Sequence, residues 1–115
     1  MINKVNSDVG FSSASYTKTV RNLMELKCGA YPQLRKAASD SFQQIDDAST
    51  KLGKKVQLKE NFNEDGTFID ALDGKGKVLG SYQVYQPGST NGLPNDIIRS
   101  LRYFADDVIE KLKLN

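Results

Sequence analysis

Apolar residues recur every three or four positions in three stretches of the chain, which is the spacing of an amphipathic helix. The first stretch covers residues 15–28 and is followed by Gly29, and the second runs from Pro32 to the residue before Gly53. Proline favours the first turn of a helix and glycine its end. The third stretch opens at Pro94. The apolar stripes of the second and third helices are Leu34, Ala38, Phe42, Ile45, Ala48 and Leu52, and Ile97, Leu101, Phe104, Ala105, Val108 and Leu112.

Residues 56–85 contain shorter apolar runs, separated by two segments with the composition of tight turns. The segments 63–66 and 73–76 each begin with Asn or Asp and end with Gly, as in type I turns whose last residue is left-handed. They predict three antiparallel strands joined in a meander. Gly66 and Gly76 are expected to have positive φ angles.

We interpret each turn as a three-residue hairpin loop, which fixes the register of the meander. Asn63 then lies opposite Thr67, and Asp73 lies opposite Lys77. Because side chains alternate between the two faces of a strand, this register selects one apolar face as the core. The predicted core face comprises Leu58, Phe62, Phe68, Leu72, Val78, Tyr82 and Val84.

Two carboxylates interrupt that apolar face. The register places Glu60 and Asp70 opposite each other, with Gly80 beside Asp70. Like charges in a poorly solvated setting repel, so such a pair can serve acid–base chemistry or hold a ligand or cation. Two other interpretations stay open. Either the pair is hydrogen-bonded, or the register is shifted by one residue and pairs Lys59 with Asp70.

These elements predict an α+β fold, in which two N-terminal helices precede a three-stranded antiparallel β-meander and a C-terminal helix. With 115 residues the chain has the size of one domain. We expect residues 14–115 to form that domain. Residues 1–13 are polar and rich in Ser and Asn, and we expect a flexible arm. The alternatives for this arm are an uncleaved export signal or a segment that orders on a partner.

The composition excludes several chemistries. The chain has no histidine, which removes histidine-based acid–base catalysis, Ser–His and Cys–His nucleophile pairs and most zinc sites. Cys28 is the only cysteine, so no intrachain disulfide can form, and we expect it to be a small packing residue. We therefore predict no catalytic residues, no cofactor and no metal site. Cytoplasmic localisation is expected, with export through an uncleaved signal as the alternative.

The start of the first turn resembles an EF-hand calcium loop. Residues 61–66 place oxygen-bearing side chains at alternating positions before Gly66. Leu72 stands where that loop needs a bidentate glutamate, and strands are predicted where the EF-hand has helices. Calcium binding is therefore not expected.

Basic residues are concentrated around the junction of the second helix and the first strand of the meander. With two arginines near the start of the last helix they form a candidate nucleic-acid-binding set. The set comprises Lys51, Lys54, Lys55, Lys59, Arg99 and Arg102. A net charge of +2 is nearly balanced, whereas nucleic-acid binders are usually more cationic. Nucleic-acid binding is therefore the alternative function, and a solvated junction is the simpler interpretation.

The order helix–strand–strand–strand–helix over residues 32–113 resembles the layout of double-stranded-RNA-binding domains. That resemblance implies a lysine-rich start of the last helix, where this chain has Leu-Pro-Asn-Asp at residues 93–96. Residues 62–66 and 76–79 are similar to the hairpin of the flagellar FlaG family. In that family a polar N-terminus precedes a helix, an acidic-turn hairpin and a last helix, and the spacing to the last helix is shorter than here.

By elimination, the sequence favours a small non-enzymatic protein-interaction module of adaptor or inhibitor type. Its sheet surface, its edge strands or a helix face would bind the partner. The candidate partner-binding residues are Leu79, Tyr85, Tyr82 and Lys55. A homodimer through the second helix is an alternative assembly. No membrane contact is expected, because no apolar run reaches the length of a membrane span.

Overall fold

The computed structural model describes residues 14–88 and 92–114, so the predicted arm of residues 1–13 lies outside the described residues. The described chain contains three helices and four strands, which confirms the α+β class. In chain order the elements are β1 (Ala14–Tyr16), α1 (Lys18–Cys28), α2 (Pro32–Leu52), β2 (Val56–Asn63), β3 (Gly66–Asp73), β4 (Val78–Tyr85) and α3 (Pro94–Leu114).

Strand β1 is not predicted by the sequence pattern, which instead begins the first helix at Ser15 and so includes Tyr16 in it. It pairs in parallel with β2, and the four strands form one mixed sheet in the order β1-β2-β3-β4. Helix α1 begins later than expected because Thr17 caps it, its side-chain oxygen accepting the backbone N–H of Val20 at 3.1 Å. The backbone N–H of Ala14 donates to Oδ1 of the buried Asp46 on α2 at 3.3 Å, which ties β1 to the helix layer.

Strands β2, β3 and β4 form the predicted antiparallel meander, but the register between β2 and β3 differs by one residue. The first turn has two residues rather than three, so Asn63 lies opposite Gly66. Asn63 supports this tighter turn, since its Oδ1 accepts the backbone N–H of Asp65 at 2.8 Å. The predicted three-residue loop is therefore wrong at this turn.

The shifted register changes the core face of the sheet. Ile69 and Ala71 are fully buried against the helices, although the predicted core face includes neither. The predicted core residues that lie outside the core are Phe62, Phe68, Leu72 and Val78. Phe62 is 62% exposed at the end of β2, and Val78 is 48% exposed. Phe68 and Leu72 are half-buried on the face opposite the helices, which we call the open face.

The second turn has the predicted three-residue form, because the backbone N–H of Asp73 donates to the carbonyl of Lys77 at 2.9 Å. Strand β4 then contains a bulge at Leu79, where its pairing with β3 shifts by one residue. The bulge turns Tyr82 and Val84 back toward the helices. Both are buried, so their predicted place in the core is confirmed despite the wrong register in β3.

Apolar residues of all three helices and of the inner sheet face form one core. Every residue of the predicted stripe on α3 is buried, while the stripe on α2 is buried at Leu34, Ala38 and Ile45 and reaches solvent at its end. Helix α3 approaches β4 so closely that a Cβ added to Gly80 would lie 2.9 Å from Val108 Cγ2. None of the helices in the described part of the chain is long and apolar enough to cross a membrane.

The observed register predicts that two alanine substitutions in neighbouring strands lower the stability by very different amounts. Ile69→Ala removes a fully buried side chain, so we expect the free energy of unfolding to fall by about 2–5 kcal/mol. Phe62→Ala removes a larger but mostly exposed side chain, and its cost is expected to stay below about 1 kcal/mol. Urea denaturation of both variants and the wild type measures these costs. A larger loss for Phe62→Ala would contradict this register.

The two turn glycines are expected to respond differently to alanine. Both have the predicted positive φ angle, 135° at Gly66 and 86° at Gly76. A Cβ at Gly76 would meet nothing within 4 Å, so Gly76→Ala should cost about 1–2 kcal/mol for the left-handed backbone alone. A Cβ at Gly66 would also clash with the backbone carbonyl oxygen of Tyr85, so Gly66→Ala should cost more. Thermal denaturation compares the two variants, and equal costs would show that the clash does not occur.

Candidate functional site

The fold does not bring Glu60 and Asp70 together. Glu60 lies opposite Ile69 on the helix side of the sheet, whereas Asp70 lies on the open face opposite Lys59. This pairing is the one-residue shift that the sequence left open as an alternative. The predicted pair of facing carboxylates is therefore wrong, because the two-residue turn moves β3 by one position relative to β2.

Each of these carboxylates instead has its own hydrogen-bonding partners. Glu60 Oε1 accepts the hydroxyl of Thr17 at 2.6 Å, so the capping residue of α1 is tied to β2. Asp70 accepts the hydroxyl of Ser81 at 2.6 Å and the side-chain amide of Asn61 at 3.1 Å. Both acids therefore connect elements of the fold, and no shared proton or cation site lies between them.

The predicted partner-binding residues are divided between the core and the surface. Leu79 is 1% exposed and Tyr82 is 5% exposed, because the bulge in β4 places both on the helix side. The ring of Tyr82 lies 6.0 Å from that of Phe104, and burial raises the pKa of Tyr82. The candidate partner-binding role of Leu79 and Tyr82 on the surface is therefore wrong, whereas the core position that the register also predicted for Tyr82 is confirmed. Tyr85 is half-buried, and Lys55 is exposed.

Tyr85 lies beside a lysine that covers part of the edge strand β4. Lys27 Nζ lies 5.0 Å from the centroid of the Tyr85 ring and donates to the backbone carbonyl of Val84 at 2.7 Å. Burial lowers the pKa of Lys27 and raises that of the neighbouring Cys28, whose 1% exposure confirms the predicted packing role. A covered carbonyl and a bulged strand disfavour the addition of a partner strand at this edge.

The fold regroups the basic residues that the sequence placed together. Lys54 and Lys55 line a groove of about 460 Å³ together with Lys75 and Lys77 of the second turn. Asp73, Gly74 and Leu112 complete the lining of this surface, which we call the lysine groove. Lys51 is exposed in the last turn of α2. Half of the lysines in the groove therefore come from a turn that the predicted set did not include.

The remaining members of the predicted nucleic-acid-binding set lie elsewhere. Lys59 is on β2, about 13 Å along the strand from Lys55. Arg99 and Arg102 lie in the first half of α3, roughly 15–20 Å along the helix from Leu112 at the lysine groove. The fold therefore does not gather the six predicted residues into one surface.

Two residues of the lysine groove also hold the fold together. Lys54 Nζ donates to the backbone carbonyl of Leu112, near the end of α3, at 2.9 Å. The carboxylate of Asp73 accepts the backbone N–H groups of Lys75 and Lys77, each at 2.9 Å. The bond from Lys77 contributes most to a lowered pKa of Asp73, and the charges of both lysines act in the same direction. The turn that carries these lysines therefore has a fixed shape.

A second groove, which the sequence pattern did not predict, lies between α1 and α2. We call it the helix groove, and its volume is about 270 Å³. Its floor consists of the buried or half-buried residues Tyr16, Met24, Cys28, Ala38 and Phe42. Its rim consists of the exposed residues Arg21, Glu25, Arg35, Ser39 and Gln43. The signal in the sequence was the small size of Cys28 at the end of α1 and of Ala38 on α2, which both lie in the floor of the helix groove.

The bonds around Asp73 predict a pH-dependent contribution to stability. A carboxylate whose pKa is lowered in the folded protein stabilises it fully above the unfolded pKa of about 3.9 and loses this effect as the pH falls through the folded pKa. Asp73→Asn should therefore be less stable than the wild type at neutral pH, and the difference should shrink in acid below about pH 4. Urea denaturation at several pH values measures the difference.

The control for Asp73→Asn is Glu64→Gln, which removes one negative charge from an exposed position in the other turn. If both variants lose the same stability at neutral pH, general charge balance rather than the turn accounts for the effect. A difference between Asp73→Asn and the wild type that does not change with pH would also contradict the prediction.

The chain matches no protein-family model, no curated protein and no solved structure. Its function is therefore inferred from the two grooves and their side chains.

Proposed function

We propose that this protein is a non-enzymatic binding module that holds a short amphipathic segment of a partner protein in the helix groove. The observation that supports this most is a concave apolar floor that remains open to solvent. The rings of Tyr16 and Phe42 are only half-buried there, with their centroids 5.8 Å apart. Clefts with an apolar floor and a few polar groups at the rim are the usual form of a binding site.

The dimensions of the helix groove fit a short segment. On α1 the lining runs from Arg21 to Cys28, and on α2 from Arg35 to Gln43, each about 10–12 Å of helix. This length accommodates about two turns of a partner helix, with anchoring side chains three or four positions apart. Large apolar anchors on one face of a partner helix would cover Tyr16 and Phe42.

The rim of the helix groove selects the charge of the partner. Arg21 and Arg35 are exposed, and neither takes part in any of the ion pairs found among the described residues, 14–88 and 92–114. Glu25 is the one acid among the rim residues, so the rim has a positive excess. An acidic residue beside the apolar anchors would therefore be favoured, and it would also raise the association rate.

The other surfaces considered from the sequence are less suited to this role. The edge of β4 carries a bulge and has its Val84 carbonyl covered by Lys27. Leu79 and Tyr82 are buried, which leaves the open face of the sheet without two of its expected contact residues. The separation of Glu60 from Asp70 removes the acid pair on which an enzymatic function would have rested. These observations favour a helix face over the β4 edge, the open face and the acid pair.

Selection of peptides from a random display library tests this proposal without assuming any particular partner. We expect the selected peptides to contain two large apolar residues three or four positions apart and at least one acidic residue. Binding of a selected synthetic peptide to the full chain is then measured by calorimetry. Ser39→Trp places a bulky side chain at the rim of the helix groove and should weaken binding by about tenfold or more.

The matched control is Gln44→Trp, which adds the same side chain to an exposed position of α2 outside the helix groove. This variant should bind the peptide within about twofold of the wild type. Selection of no peptide, or equal binding by Ser39→Trp and the wild type, would show that the helix groove is not the binding site. Circular dichroism of both variants checks that the fold is retained.

A further inference from the structure

We infer that the lysine groove binds a compact, multiply phosphorylated anion. The site is separate from the helix groove, because it lies beyond the C-terminal end of α2, whereas the helix groove ends at Gln43. From Gln43 to the end of α2 at Leu52 the helix extends about 14 Å. The inference therefore does not depend on the proposed protein-binding function.

Among the described residues, only one of the four lysines in the lysine groove has a side-chain hydrogen bond that stabilises the fold. Lys54 donates to the Leu112 carbonyl, where the end of α3 carries partial negative charge, so this lysine is engaged. Lys55, Lys75 and Lys77 are exposed, and none of them belongs to the ion pairs found in the described part of the chain. These three ammonium groups are therefore available to an anion.

The acid in the lysine groove does not neutralise these three lysines by direct contact. Oδ1 of Asp73 accepts the backbone N–H groups of Lys75 and Lys77. Asp73 belongs to none of the ion pairs found among the described residues, although the charges of Lys75 and Lys77 contribute to its lowered pKa. The two hydrogen bonds fix the turn, together with Gly76, whose φ of 86° suits a residue without a side chain. Little backbone ordering is then required when an anion binds, which favours affinity.

The lining residues favour phosphate groups on a compact ligand over a nucleic-acid strand. Lysine is a flexible point charge with three donors and is a common phosphate ligand. The lining contains no aromatic residue, whereas single-stranded nucleic acids are usually held by bases stacked on aromatic rings. The groove is about 460 Å³ and is lined by residues 54–55, by residues of the second turn and by Leu112 near the end of α3, so it suits a small anion with several charges. A nucleic-acid strand would need a longer positively charged surface, and Arg99 and Arg102, which could extend it, lie away from the groove on the first half of α3.

Isothermal titration calorimetry of the full chain with inorganic tripolyphosphate tests the inference. The titration is performed at about 0.05 M and about 0.15 M salt, because screening weakens contacts between exposed charges. The site variant is Lys55→Gln/Lys75→Gln/Lys77→Gln, and it should bind tripolyphosphate about tenfold or more weakly than the wild type. All three positions are exposed, so we expect the fold to be retained, and circular dichroism checks this.

The matched control is Lys18→Gln/Lys36→Gln/Lys59→Gln, which removes the same charge from three exposed positions away from the lysine groove. It should bind tripolyphosphate within about twofold of the wild type. In NMR titrations the backbone amides of Lys75 and Gly76 should shift, while that of Met24 in the helix groove should not.

Three results would overturn the inference. The wild type could fail to bind tripolyphosphate even at low salt. Both triple variants could lose affinity equally, which would show attraction to net charge rather than a site. A single-stranded oligonucleotide could bind more tightly than tripolyphosphate and depend on Lys55, Lys75 and Lys77, which would assign the groove to a nucleic-acid backbone instead.

Discussion

The two-residue turn at Glu64 and Asp65 determines which side chains of the sheet meet the helices. Strand residues alternate between faces, so a turn shorter by one residue reverses every residue of β3 relative to β2. Ile69 and Ala71 thereby enter the core, and the residue between them lies on the open face. The bulge at Leu79 then compensates in β4, because one extra residue restores the inward direction of the residues that follow. Packing of α2 and α3 on this sheet depends on both features together.

The same register explains the charged residues within the strands. Glu60 stays on the helix side at the end of the core, where it accepts the hydroxyl of Thr17 and so fixes the start of α1 on β2. Asp70 moves to the open face, where Ser81 and Asn61 hydrogen-bond to it across neighbouring strands. Carboxylates in a strand pattern are therefore explained here by connections between elements, and their separation removes the only acid pair that the sequence suggested.

Local sequence patterns predicted the long helices well, but they failed for features that are determined by contacts between residues far apart in the chain. The stripes of α2 and α3 repeat over five turns, so their positions followed from periodicity. The three residues of β1 are too few to show alternation, and β1 exists because of its pairing with β2 and the bond from Ala14 to Asp46. The small size of Cys28 and Ala38 was not enough to predict the helix groove, because the groove also depends on how far apart α1 and α2 pack. The predicted meander already brings Lys55 beside the second turn, but the lysine groove also depends on where α3 ends, which local patterns do not show.

The lysines near the lysine groove fall into two groups: those that offset the negative charge of helix ends, and those that have no such role and could bind a ligand. Helices α2 and α3 end near each other, as the bond from Lys54 to the Leu112 carbonyl shows, and two helix ends bring partial negative charge to this region. The lysines in the last turns of both helices offset that charge. Lys55, Lys75 and Lys77 are not in helices and form no ion pair found among the described residues. Asp73 offsets part of this positive charge through its attraction to Lys75 and Lys77, and a bound anion would neutralise the excess that remains and so stabilise the folded protein.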